Sequence, residues 1–91
     1  MAKEVIKKDG TKEPFNSEKI KRSIMAAAEE TDLSEEKRKE VVDQVSSIVL
    51  QMAGEKEEIE VSQIKDKILQ ELDSIEPSIS KAWREYDEEN K

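Results

Sequence analysis

VIKKDGTKEPFNSEKI, residues 5–20, packs a tight turn, a cationic strand and a helix start into sixteen positions. Asp9-Gly10 is a hairpin signal. It is expected as a two-residue type I′ turn, in which both central positions need positive φ, a conformation Asp tolerates and Gly adopts freely. Val5, Ile6 and Phe15 are strand formers on either side, and Pro14, lacking an amide hydrogen, suits an edge strand or its last residue. Asn16 is a good N-cap for a helix from Ser17, with Glu18 near the positive end of the helix dipole. Along the strands Val5 and Lys7 should share one face, Ile6 and Lys8 the other.

Outward from this stretch, helical periodicity organises the chain. The hairpin is expected over about 3–15 and a first helix over about 17–30, with Ile20, Ile24, Ala27 and Ala28 as its apolar stripe and the alanines leaving room for another helix or a ligand. Ser34 should cap a second helix, about 34–53, ending at Gly54 as a C-terminal cap. Glu58-Ile59-Glu60-Val61 alternates like a short third strand that joins the hairpin. Ser62 is the expected cap of a third helix, about 62–73, which Asp73-Ser74 should break. Pro77 fits the first turn of a last helix, about 77–88, with 87–91 a frayed tail. The sum is one α+β domain, mainly helical, with a small sheet over four helices.

Composition removes whole classes of function. With no Cys and no His among 91 residues, thiolate and histidine metal sites and Cys or His catalysis are excluded. Glycines only at 10 and 54 rule out a P-loop. No carboxylate spacing singles out an acid-base pair, so no catalytic residue and no metal site is expected. There is neither a secretory signal nor a membrane span, which leads to the expectation of a cytoplasmic protein without a membrane partner. The net charge of −7 argues against nucleic acid as a partner. Yet residues 1–22 carry a local +3 against −10 for the remainder, so the net-basic region coincides with the hairpin and the first helix.

The opening stretch resembles that of the ATP-cone domain, the regulatory nucleotide-binding module of many ribonucleotide reductases and of the repressor of their genes. The family pattern V-x-K-R-D-G-x-x-E-x-F-[DN]-x-x-K-I is met by Val5, Lys7, Asp9, Gly10, Glu13, Phe15, Asn16, Lys19 and Ile20. EVSQIKDKIL and AWREYD are similar to later family segments. Two residues depart. Lys8 replaces the usual Arg, keeping the charge but losing its planar fork, and Asp87 stands where an Arg is common, which removes a phosphate contact.

The resemblance implies a four-helix bundle capped by a small sheet, with ATP or dATP as effector, its Mg2+ carried on the phosphates. Lys7 and Lys8 would contact phosphates, Glu13 and Asn16 the adenine edge, and Lys19 the polar part of the nucleotide, while Val5, Phe15 and Ile20 wall the base. Such a module does not hydrolyse its ligand but regulates ribonucleotide reductase or another partner, either as an excised domain or acting in trans. Each residue also has an ordinary use: lysines protecting a sheet edge, Glu13 pairing with a lysine, Asn16 capping, Phe15 in the core. The alternative is therefore a nucleotide-free interaction module of the same fold that docks a basic partner through its acidic helices.

Overall fold

The computed structural model describes residues 4–89, with side chains as far as Glu85. Its order is β1 (Glu4–Ile6), β2 (Lys12–Pro14), α1 (Ser17–Glu29), α2 (Glu35–Gly54), β3 (Glu58–Glu60), α3 (Val61–Ile75) and α4 (Pro77–Glu89). The α+β expectation and the third strand both hold. β1 lies in the middle of the sheet, antiparallel to β2 and parallel to β3. Val5 pairs with Glu13 on one side and Ile59 on the other, so these three share a face. Pro14 ends the edge strand β2, where its missing donor breaks no ladder bond.

The helices form a ring in which α1 packs on α2 and α4, and α3 on α2 and α4. Ile20, Ile24, Val41, Val45, Val49, Ile64, Ile68, Leu72 and Ile79 meet in one aliphatic core, and Ile59 joins the sheet to it. Asn16 and Ser34 cap α1 and α2 as expected: Asn16 Oδ1 accepts from the backbone of Glu18 and Lys19, and Ser34 Oγ from Lys37.

Five local expectations need correcting. The hairpin turn is not type I′. Lys7 O accepts from Gly10 N (2.9 Å) and Lys7 N donates to Thr11 O (2.8 Å), and only Gly10 has positive φ, at 87°. This is the turn-plus-bulge pattern, with Lys8 and Asp9 at the central positions and Gly10 left-handed. Asp9 is then free to accept from Thr11 N (2.9 Å) and from its hydroxyl, which holds its carboxyl below the usual range. Lys7 and Lys8 accordingly sit in the turn, outside the strands.

Gly54 is the last residue of α2 rather than a left-handed cap. Glu55 and Lys56 donate to Met52 and Ala53 carbonyls, i to i−3 bonds that tighten the last turn without positive φ. Ser62 does not cap α3 either. β3 runs straight into the helix with Glu60 as N-cap, its amide bonded to Gln63 Oε1 at 3.1 Å. Asp73-Ser74 does not end α3, which continues to Ile75. The stop comes from Pro77, which forces Glu76 out of the helical region (φ −152°, ψ 85°). α4 likewise stays helical to Glu89, three residues into the stretch expected to fray; residues 90 and 91 and the side chain of Asp87 lie outside the described residues.

Asp73 has a structural use instead. Its Oδ1 accepts from Ser80 Oγ (2.6 Å) and Arg84 Nη1 (2.9 Å), its Oδ2 from Arg84 Nη2 (2.7 Å). This bidentate link pins α4 to α3, and Arg84, aided by Ser80, holds the Asp73 carboxyl at about 2 against an ordinary 3.8.

Because the carboxyl is depressed in the folded state, its stabilisation is complete above its ordinary value and is lost as pH falls from 3.8 towards 2. Thermal midpoints measured across that range should fall more steeply for the native chain than for Asp73→Asn, which starts lower at neutral pH; parallel curves would disprove the link. The two glycines should respond with opposite signs, since neither would gain a clash from a Cβ. Chemical denaturation should show Gly10→Ala destabilising by roughly 1 kcal/mol through its left-handed φ, and Gly54→Ala stabilising by roughly 0.5–1 kcal/mol within the helix.

Candidate functional site

The inner face of the sheet does not seat flush on the bundle. Between β1, β2, the start of α1, α3 and α4 lies a cavity of about 200 Å³, mostly apolar, walled by Val5, Phe15, Ile20, Val61, Ile64, Ile68 and Trp83. Lys7, Glu13, Asn16 and Lys19 supply its polar rim together with Ser23 and Lys65. Seven of the eight residues expected at the site, Val5, Lys7, Glu13, Phe15, Asn16, Lys19 and Ile20, therefore line a single cavity. Lys8 does not; the bulged turn leaves it exposed and off the lining.

The rim is electrostatically organised. Lys7 Nζ lies 2.7 Å from Glu13 Oε1, and Lys19 Nζ lies 3.9 Å from Glu13 Oε2. The hydrogen bond to Glu13 raises the Lys7 pKa and lowers that of Glu13. Because Lys7 and Glu13 are each about two-fifths exposed, the pair is a solvent-screened one that an incoming anion can rearrange at little cost. Asn16 Oδ1 is already committed, accepting from Glu18 N (3.0 Å) and Lys19 N (3.3 Å). Both lone pairs are used, so a ligand meets only the amide hydrogens of Asn16. Asn16 therefore faces a ligand as a donor only, and Glu13 is left as the acceptor.

A second cavity of about 460 Å³ adjoins the first, sharing Lys19, Ser23, Lys65 and Trp83 and adding Arg22, Ala26, Ala27 and Glu30. Sequence reasoning did not single out Arg22, Ser23 or Lys65. The α1 signal was readable: Lys19, Arg22, Ser23, Ala26 and Glu30 recur at i, i+3, i+4, i+7 and i+11, a helical stripe beside the apolar one. Lys65 joins them only because β3 docks on β1 and so fixes where α3 begins.

The ATP-cone domain model matches residues 3–91. The chain belongs to the ATP-cone family. Membership gives it a regulatory, nucleotide-binding type of domain. Similar relatives include transcriptional repressors NrdR. The one from Syntrophus aciditrophicus is 39% identical over 74 residues, 78% of this chain and 45% of the repressor. That from Persephonella marina is 36% identical over 73 residues, 80% of this chain and 47% of the repressor. That from Petrotoga mobilis is 32% identical over 90 residues, 91% of this chain and 59% of the repressor. The ATP-cone chain thus spans about half the length of the curated relatives it matches. Their repressor function weakens the expectation that nucleic acid plays no part among such proteins. Among the described residues no helix is long and apolar enough to cross a membrane.

Because Asn16 both caps α1 and edges the cavity, Asn16→Ala should lower stability by about 1 kcal/mol in chemical denaturation. Asn16→Asp, which keeps the cap oxygen, should stay close to the native value. Equal losses in the two variants would mean that the cap bond is not what Asn16 contributes.

Proposed function

We propose that this ATP-cone binds ATP or dATP beneath its hairpin and passes occupancy to a partner as an allosteric signal, without hydrolysing the ligand. The observation that carries the reading is the convergence of Val5, Lys7, Glu13, Phe15, Asn16, Lys19 and Ile20 on one cavity. In this reading the apolar part takes the adenine, with Glu13 accepting from its exocyclic amine and Asn16 donating to a ring nitrogen. Lys7 and Lys19, moving off Glu13, meet phosphate oxygens, and Mg2+ arrives on the phosphates. Lys8 acts at most from outside, through its charge. The partner is ribonucleotide reductase or, given the named function of the relatives, a component of transcriptional control. Any effect on that partner equals the difference in nucleotide affinity between its two states.

Calorimetric titration of ATP, dATP and adenosine into the native chain and Lys7→Ala tests the reading. ATP should bind the native chain, and Lys7→Ala should weaken ATP by roughly tenfold, the scale of one charge-assisted hydrogen bond, while adenosine changes by less than about twofold. Equal losses for both ligands would show the phosphates lying elsewhere. Absence of ATP binding at millimolar concentration, alongside capture of a basic partner, would favour the nucleotide-free docking module instead.

A further inference from the structure

Trp83 carries a polar group that no described residue partners. It sits on α4, 9% exposed, and its ring lines both cavities. Its indole nitrogen is closed to solvent and has no hydrogen-bond partner among the described residues. A buried donor left in that condition costs about 1–3 kcal/mol, and buried polar groups are nearly always partnered. A phenylalanine would fill similar space without the penalty.

We propose that Trp83 is a ligand-binding residue, its indole N–H donating to an oxygen of the nucleotide's sugar-phosphate part where the two cavities meet. This rests on the nucleotide reading of the cleft. The residues common to the two cavities are Lys19, Ser23, Lys65 and Trp83, a donor-rich set, with Arg22 on the larger one. Ammonium, guanidinium and indole groups have no acceptor to offer one another; Ser23, which donates to Lys19 O at 2.9 Å, keeps its hydroxyl lone pairs as acceptors. Such a lining suits an oxygen-rich ligand.

Size points the same way. Pockets for drug-sized ligands run to about 300–1,000 Å³, so the 200 Å³ cavity admits a base but not a whole nucleotide. The remainder has to cross the Trp83 wall into the 460 Å³ cavity. A small rotation of the ring as the ligand passes turns its N–H towards that ligand.

The test is direct because the chain has one Trp and hence one indole N–H resonance. With ¹⁵N-labelled chain, ATP should move that resonance with the same saturation profile as the amides of residues 5–20. A response to adenosine assigns the acceptor to the sugar; a response to ATP alone assigns it to a phosphate. Trp83→Phe should weaken ATP binding roughly tenfold, as loss of one hydrogen bond to a charged or strongly polar acceptor does, and leave the unliganded thermal midpoint unchanged or higher, since the lost N–H is unpaired. An indole signal unmoved while the hairpin amides saturate, with Trp83→Phe binding as the native chain does, would overturn the inference and leave the nucleotide reading intact. Amides of 5–20 unmoved by millimolar ATP would overturn both. If Trp83→Phe does not fold, the indole titration of the native chain decides alone.

Discussion

β1 is hydrogen-bonded on both sides, and the candidate site exists because of it. Three strands of three residues each make too small a sheet to stand alone; here the sheet is held because Ile59 is buried in the bundle core and its strand pairs in register with β1. That pairing ties the first residues of the chain to the start of α3, across a separation filled by α1 and α2. It turns Val5 and Glu13 towards the bundle and places Val61, Ile64 and Lys65 opposite them. Without it the hairpin lysines and the α3 lysine belong to unrelated surfaces.

The cleft then follows from what the neighbouring helices leave unfilled. Ala26 and Ala27 on α1 contribute little volume along the second cavity, and Trp83 lines both spaces. The Asp73 link to Ser80 and Arg84 fixes α4 one residue from that ring. The chain as a whole carries −7, yet Lys7, Lys19, Arg22 and Lys65 all border the cleft, against Glu13 and Glu30. An acidic exterior with a cationic recess rejects polyanions from most of its surface while drawing a small anion to one place.

Much of this was legible in the residues, and the exceptions have physical causes. Local signals were sound where a single side chain decides the backbone, as Asn16, Ser34 and Pro77 do at their helix starts. They misled where two local options compete. Asp9-Gly10 fits a type I′ turn, but the bulged turn lets Asp9 bond to Thr11 and spares it positive φ. Gly54 was a good cap that the last turn of α2 did not need, and Asp73 looked like a breaker because its partners, Ser80 and Arg84, are distant in sequence.

Site residues within the hairpin-to-α1 stretch were legible because that stretch is contiguous, and its geometry brings seven of the eight to one cavity. Lys65 and the unpaired N–H of Trp83 were not, since nothing local ties α3 or α4 to the hairpin; the β1–β3 register does. Lys8 shows the converse, a residue at a family position that sits in the bulged turn and does not line the cavity.

The proposed binding mode specifies a place as much as a ligand, with the adenine between β1 and the α1–α3 face. Intermolecular nuclear Overhauser effects from the adenine H2 and H8 protons of bound ATP to methyl groups measure that place directly. Contacts to Val5, Ile20, Ile64 and Ile68 are expected. Contacts confined to the methyls of α2, or to none of these four at saturating ATP, would contradict the proposed mode.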